Sequence, residues 1–571
     1  MNYVHLTPLS TGAKQFIHNS LLLLRQMISF RVLKFNSLLY RRFKVINKGK
    51  PIINKYTLHI CQSTYKLRSW VTYEIHSLLS RNIIENFSQA QPLDSDYLRI
   101  IVPRGIRRLK SISINIELFC SDKLGGVNVI KKKAILSGKK INYFRNINFF
   151  DLPVKNKIKS LAINSEGAEV CFQNIKFKEN SASNTVFIVL DAVDYKSFLS
   201  SQAYQENLSK CEHVLAKAYS PSSVTGSALP SLLTMQPVLV HQLGDYKEWF
   251  FSPNLECLSK KIPTLAENLS YHVDYLQAFT SFSKTLPFYS YHRGFSSYDC
   301  RCAGNNFSPS ALDILNMDIQ DSYGFFSELN SFFFFVHDIG AHPPIQPRFE
   351  LTKDVDYINN SYPYTLNLSL RKVTSLIDCL SSTGKIDNTN IIITSDHTEN
   401  APGFSKNRYH LTSKRTTVPV YFRPSKSNNN NDQISKLNQN TDLHLPSTAI
   451  LTEIFNSIYP LKLKHPEFSF IGINWLSSVF DYPDRENIYN LAYDDTSNQH
   501  LIFKTSISIF ELNKINVSND FTLYLLRGSN REKIALDSDL FKRVKESFLL
   551  YLCHCKDNDS SPVLQKELEF I

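Results

Sequence analysis

Three stretches of the chain end an unbroken apolar run in acids or histidines: "NTVFIVLDAVD" from Asn184, "SFFFFVHD" from Ser331 and "NIIITSDH" from Asn390. A strand with one wet face alternates apolar and polar residues. A run without alternation is buried on both faces, the pattern of a strand inside a parallel sheet covered by helices. Helix-period stretches such as "RKVTSLIDCLSSTG" lie between the runs. Strands alternating with helices predict an α/β domain with a mainly parallel sheet flanked by helices. In such sheets chemistry gathers at the carboxyl ends of the strands, where these polar residues fall.

The rest of the chain differs in texture and charge. Its 571 residues suffice for several domains. Residues 1–182 hold 30 Lys/Arg against 10 Asp/Glu, the remainder 34 against 41, and the first acidic residue is Glu74. The front therefore owns the basicity and is expected to be drawn to a polyanion, an anionic glycan or a membrane surface. Aromatic-basic interleaving of the kind that reads nucleic acid is missing, so no nucleic-acid partner is expected. Residues 1–90 read as a basic, mostly helical leader, with Val71 to Asn82 as one helix-like stretch. Residues 91–182 carry short β-rich runs such as "SISINIELFC" and "EVCFQNIKF", which predict a small β-sandwich. Residues 183–480 form the α/β unit, with Ser425 to Asn440 as a polar loop. Residues 481–571 turn to short strands and a helix near Leu540 to Leu552, a C-terminal subdomain.

The run Leu21 to Leu24 is broken by Arg25, so no transmembrane segment and no secretory leader is expected, which points to a cytoplasmic or membrane-peripheral protein. The ten Cys show no CxxC pair and read as reduced thiols rather than a zinc ribbon or disulfide framework.

Five pieces line up in the α/β unit. Asp191 ends the first run, Thr225 lies in "SPSSVTGSALPSLLTMQP", and Asp338 and His342 lie in "HDIGAHPP". Asp396 and His397 end the third run, and His410 lies in "NRYHLTSKRTTVPV". Carboxylates and imidazoles suit Zn²⁺ or Mn²⁺, and carboxylates alone suit Mg²⁺ or Ca²⁺. A single buried Asp–His pair is more often a hydrogen-bonded core pair. Their shared position after apolar strands shifts the balance to a divalent metal centre.

In this order the segments resemble the alkaline phosphatase/sulfatase superfamily, in particular its sulfatase-like hydrolases and transferases, over about residues 183–480. "YSPSSVTGSALPSLLTMQP" is similar to the nucleophile segment, with Thr234 nine residues after Thr225 and Met235 where the family carries Gly. "DNTNIIITSDH" is similar to the family's TSDHG motif, with Thr398 in place of Gly. "RTTVPVYFRPS" and "TDLHLPSTAIL" resemble later landmarks. The resemblance implies an alkaline-phosphatase-like sheet and a metal-activated Thr225 that attacks a phosphate or sulfate ester. It implies Asp191, Thr225, Asp396 and His397 as a first metal site. Asp338, His342 and His410 would complete a second, or His342 and His410 would bind the substrate's phosphate.

Family sulfatases mature a Cys or Ser inside C/S-x-P-x-R to formylglycine. Thr225 cannot be matured so, and neither Ser222 nor Ser223 sits in that pattern, which favours phosphoric esters over a sulfatase; the β-sandwich and the basic front suggest envelope glycan or lipid-linked substrates. A glycan-binding protein with a decayed site is the other alternative, resting on Met235 and Thr398.

Overall fold

The computed structural model describes residues 70–72, 82–86, 93–103, 111–121, 127–137, 147–166, 170–178, 183–222, 224–241, 258–259, 261–281, 285, 290–299, 310–339, 341, 361–398, 417–426, 445–464, 469–470, 473–481, 488–495, 500–511, 514–517, 522–527, 530–535 and 537–557. They form a mixed α/β fold on three sheets.

The strands number in chain order. The front holds β1 (Trp70–Thr72), β2 (Asn82–Asn86), β3 (Leu93–Pro103), β4 (Ser111–Ser121), β5 (Val127–Ser137), β6 (Ile147–Glu166) and β7 (Cys171–Ile175). The central sheet adds β8 (Asn184–Leu190), β9 (Val214–Tyr219), β10 (Tyr275–Thr280), β11 (Ser297–Asp299), β12 (Phe332–Asp338), β13 (Thr389–Ser395) and β14 (Thr417–Arg423). Its order is β1-β11-β10-β12-β8-β13-β14-β9. From β11 to β13 neighbours run parallel, and β1, β14 and β9 each pair antiparallel with their neighbours.

All three apolar runs lie at the centre of this sheet, and every residue of β8, β12 and β13 is buried. Each sends alternate side chains to opposite faces. Phe187 and Val189, Phe333 and Phe335, and Ile392 pack against the helices Thr225–Thr234, Leu265–Leu269 and Ser447–Ile458. Val186 and Ile188, Phe334 and Val336, and Ile391 and Ile393 pack against the helices Ala311–Asp321 and Ser361–Ser382. Apolar burial on both faces is why these strands show no alternation.

The front differs from its expectation. Trp70–Thr72 is a strand that pairs with Ser297–Asp299 at the edge of the central sheet, so the helical reading of Val71 to Asn82 fails at both ends, where β1 and β2 stand; the rest of residues 1–81 lies outside the described residues. Instead of two packed sheets, β2 to β7 form one six-stranded antiparallel sheet in the order β5-β4-β6-β3-β7, with β2 on β6. The reason is the twenty-residue strand β6, whose first half pairs with β3 and whose second half pairs with β4 and β2. Sequence alone reads "INYFRNINFF", whose last four residues open β6, and "IKSLAIN" as separate strands.

Arg99 of β3 fixes this sheet to the central unit. It is wholly buried and forks onto Asp151, with Nε 2.6 Å from Oδ1 and Nη2 donating to Oδ2 at 3.1 Å. Its Nη1 donates to Tyr275 Oη at 3.0 Å, and its guanidinium lies 4.0 Å from the centre of the Phe325 ring. A bidentate carboxylate and an aromatic face satisfy a charge that water cannot reach.

At the other end β15 (Ser469–Phe470), β16 (Ile473–Asp481), β17 (Ile488–Asp495), β18 (His500–Glu511), β19 (Lys514–Val517), β20 (Thr522–Arg527) and β21 (Asn530–Ile534) make an antiparallel sheet followed by the helix Asp539–Asp557. This sheet takes in Ser469–Asp481, upstream of the expected boundary at 480. No described helix is long and apolar enough to cross a membrane.

Candidate metal centre

The centre forms where β8 and β13 end side by side. The two strands run parallel with Leu190 opposite Ser395, so the next residues, Asp191 and Asp396, emerge as neighbours on the same face of the sheet. Asp191 continues the ladder on its other side, its amide donating to the Asp338 carbonyl at 2.9 Å.

Backbone and side-chain hydrogen bonds stitch the two strand ends together. Ala192 takes a left-handed conformation, φ 65°, and its amide donates to Asp396 Oδ1 at 3.2 Å, which also accepts from the His397 amide at 2.9 Å. Ser395 Oγ accepts from the Val193 amide at 2.8 Å and donates to the His397 carbonyl at 2.7 Å. Tyr362 Oη donates to the Ala192 carbonyl at 2.9 Å. A left-handed alanine costs about 1–2 kcal/mol, and such strain persists where the surroundings over-determine it.

Asp191, Asp396 and His397 are all buried and offer one donor atom each within 4.8 Å of one another. His397 Nε2 lies 3.6 Å from Asp191 Oδ1 and 3.6 Å from Asp396 Oδ2. Its Nδ1 is 3.1 Å from the Thr398 carbonyl, which can only accept. In the neutral ring Nδ1 therefore carries the proton and Nε2 turns its lone pair to the centre; protonated, the ring is instead a positive charge beside both carboxylates.

Thr225 opens the helix Thr225–Thr234, and its Oγ1 lies 3.0 Å from His397 Nε2. Val224, at the cap position, makes no side-chain hydrogen bond to the helix start, and of the first amides that of Ser227 donates to the Val224 carbonyl at 3.3 Å; an uncapped helix start of this kind suits an anion. Ser222 is engaged elsewhere, with its Oγ 2.6 Å from Ser227 Oγ. Thr234 Oγ1 donates to the Pro230 carbonyl at the far end of the helix.

Two carboxylates side by side in a buried site repel each other and lose their hydration, a cost that a divalent cation offsets. Among the described residues no donor stands within hydrogen-bonding distance of Asp396 Oδ2. Burial by itself would push Asp396 up, but the charges of His397 and His337 and the Ala192 amide hold it well below the usual carboxylate range. Carboxylate oxygens, an imidazole lone pair and a hydroxyl together fit a divalent cation.

The structure thus brings Asp191, Thr225, Asp396 and His397 together. It does not bring Asp338. That carboxylate leaves β12 on the opposite face, where Oδ2 accepts from the Leu312 amide at 3.3 Å, in the first turn of the helix Ala311–Asp321. Its neighbour His337 takes the centre's face instead, with Nε2 3.7 Å from Asp191 Oδ2 and 3.9 Å from Asp396 Oδ2. Sequence reading missed His337, although the alternation Phe333, Phe335, His337 was there to find it. His342, Ser223 and His410 lie outside the described residues.

Met235 and Thr398, the two positions where the resemblance leads one to expect glycine, both fit their surroundings. Met235 ends its helix at φ 55° and ψ 30°, the left-handed conformation a glycine adopts freely, and is wholly buried in the core. Burial of a large apolar side chain, worth about 1.5–3 kcal/mol, offsets the backbone cost. Thr398 needs no positive φ, and its carbonyl holds His397.

No family model and no curated protein matches the sequence. Solved structures similar to the chain include a phosphonate monoester hydrolase from Silicibacter pomeroyi, at 13% identity over 66% of this chain and 96% of that one, TM-score 0.42. A protein in the alkaline phosphatase superfamily from Vibrio parahaemolyticus matches at 12% over 67% and 90%, TM-score 0.39. BT1596, a 2-O GAG sulfatase, matches at 14% over 66% and 93%, TM-score 0.40.

Proposed function

We propose that the chain is a metal-dependent hydrolase or transferase of the alkaline phosphatase/sulfatase kind, with Thr225 as nucleophile and a phosphoric ester as substrate. The observation that carries the reading is the 3.0 Å approach of Thr225 Oγ1 to His397 Nε2 beside the buried pair Asp191 and Asp396, at the mouth of a helix N-terminus.

Asp191, Thr225, Asp396 and His397 would hold the cation. When bound it would lower the pKa of the Thr225 hydroxyl and neutralise charge gathering on the ester oxygens. Thr225 Oγ1 gives its proton to solvent water and forms the bond to phosphorus; the bond to the leaving oxygen breaks opposite it, and that oxygen takes a proton from solvent. Water or an acceptor hydroxyl then removes the phosphoryl group from Thr225. The first amides of the helix Thr225–Thr234 hold the non-bridging oxygens. Phosphorus is favoured over sulfur because a threonine cannot become formylglycine.

The purified full-length chain is expected to carry a divalent cation by elemental analysis and to turn over an aryl phosphate monoester or diester faster than the matching aryl sulfate. A metal-free protein inactive on every ester, or a faster aryl sulfate, would sink the reading. The basic residues 1–182 would draw the enzyme to an anionic glycan or lipid surface that bears such esters. Retention on anionic vesicles or acidic glycan should therefore fall as salt rises, and salt-insensitive retention would remove this part of the proposal.

A further inference from the structure

We propose that His241 is a positioning residue for Thr225: through the buried serines Ser231, Ser227 and Ser222 it fixes how the helix Thr225–Thr234 presents its first residue to the centre. This rests on the reading of Thr225 as nucleophile and deepens it by assigning the groups that hold it in place.

The helix Thr225–Thr234 has two unlike faces. Leu229, Leu232 and Leu233 join the apolar cluster against the central sheet. Ser227 and Ser231, four residues apart and so one above the other, are just as deeply buried, and each is hydrogen-bonded through its hydroxyl. Apolar packing holds the helix on the sheet, but it is non-directional and does not by itself fix how far the helix is turned or slid along its axis. Hydrogen bonds are directional and do.

His241 supplies the far anchor. The helix stops at the left-handed Met235, and the chain returns through the short helix Val238–His241, which sets His241 Nε2 2.8 Å from Ser231 Oγ. Ser231 Oγ also donates to the Ser227 carbonyl at 3.3 Å. One turn nearer the centre, Ser227 Oγ lies 2.6 Å from Ser222 Oγ and 3.4 Å from the Val224 carbonyl, and Ser220 Oγ donates to the Ser222 carbonyl at 2.7 Å. The network therefore runs from His241 along the helix to the loop that leads into Thr225. Burial pushes the His241 ring down to about 3, against a smaller opposite pull from the Ser227 carbonyl, so the ring is neutral. A neutral imidazole can bond the Ser231 hydroxyl as donor or acceptor and adds no charge to the core.

Thr225 is the member of the centre that most needs such support. Asp191 and Asp396 follow strands locked together by their ladder, whereas Thr225 arrives on a helix, and its Oγ1 lies 3.0 Å from His397 Nε2. Displacement of a reacting group by about 1 Å can cost roughly 100-fold in rate.

The test uses the full-length chain loaded with Zn²⁺ or Mn²⁺ and an aryl phosphate. His241→Leu fills the space but cannot bond Ser231, whereas His241→Gln keeps a polar group near the place of Nε2. His241→Leu is expected to lower kcat by more than about tenfold, with KM within about threefold of wild type and metal affinity unchanged, and His241→Gln to recover most of the loss. Rapid-quench phosphorylation of Thr225 should slow by the same factor. Ser231→Ala, which removes only a hydroxyl, should lower kcat in the same direction and decides the question where His241→Leu does not fold. A purely structural role would lower the melting temperature of each variant and leave kcat per folded, metal-loaded molecule as in the wild type. Wild-type kcat in folded His241→Leu or in Ser231→Ala, or a His241→Gln no faster than His241→Leu, would overturn this inference, while an inactive Thr225→Ala keeps the nucleophile reading. A Thr225→Ala that turns over like the wild type, or a wild type without turnover, would overturn both.

Discussion

Thr225→Ala is expected to reduce turnover of an aryl phosphate by a factor on the order of 10⁴–10⁶, the scale at which removal of a covalent nucleophile registers in other hydrolases. The bound metal should largely stay, because Asp396 accepts the Ala192 and His397 amides and His397 Nδ1 donates to the Thr398 carbonyl, so these two ligands do not depend on the hydroxyl for their positions. Thr225→Ser keeps an oxygen at the head of the helix and should retain a measurable part of the rate. Rapid-quench detection of a phosphorylated protein under turnover, present in the wild type and absent in Thr225→Ala, is the direct readout. An active Thr225→Ala enzyme would remove the nucleophile assignment, and with it the ground for preferring phosphorus over sulfur.

The second large effect is expected at Asp396. One oxygen of this side chain accepts the Ala192 and His397 amides, and the other faces both imidazoles. Asp396→Asn keeps the volume but removes the charge and turns a donor toward the ring nitrogens or the amides. Loss of a residue that merely supports a ligand typically weakens metal binding 10–100-fold, so loss of the ligand itself should weaken it by more than about 100-fold and carry the activity down with it. The fold should persist, since the residue lies at the end of β13 rather than inside the apolar clusters. Elemental analysis and calorimetric titration with Zn²⁺ check this, and full occupancy in Asp396→Asn would remove Asp396 from the ligand set.

The sequence by itself determined the central sheet and most of the centre. "NTVFIVLD", "SFFFFVHD" and "NIIITSDH" can bury both faces only as interior strands, and their terminal acids and histidines must then emerge at one edge. Small residues after Thr225 suit a helix start, and the helix begins there. A run whose two last residues are both polar does not say which of them faces the centre, because that choice depends on register with the neighbouring strands. Only the tertiary structure decided it. The pairing of His337 with Val189 turns His337 toward Asp191 and sends Asp338 across the sheet to the Leu312 amide. The front of the chain yielded less for the same reason. β1 lies at the edge of the central sheet against Ser297–Asp299, and β6 serves β3 with one half and β4 with the other, and both are long-range pairings that local periodicity does not encode.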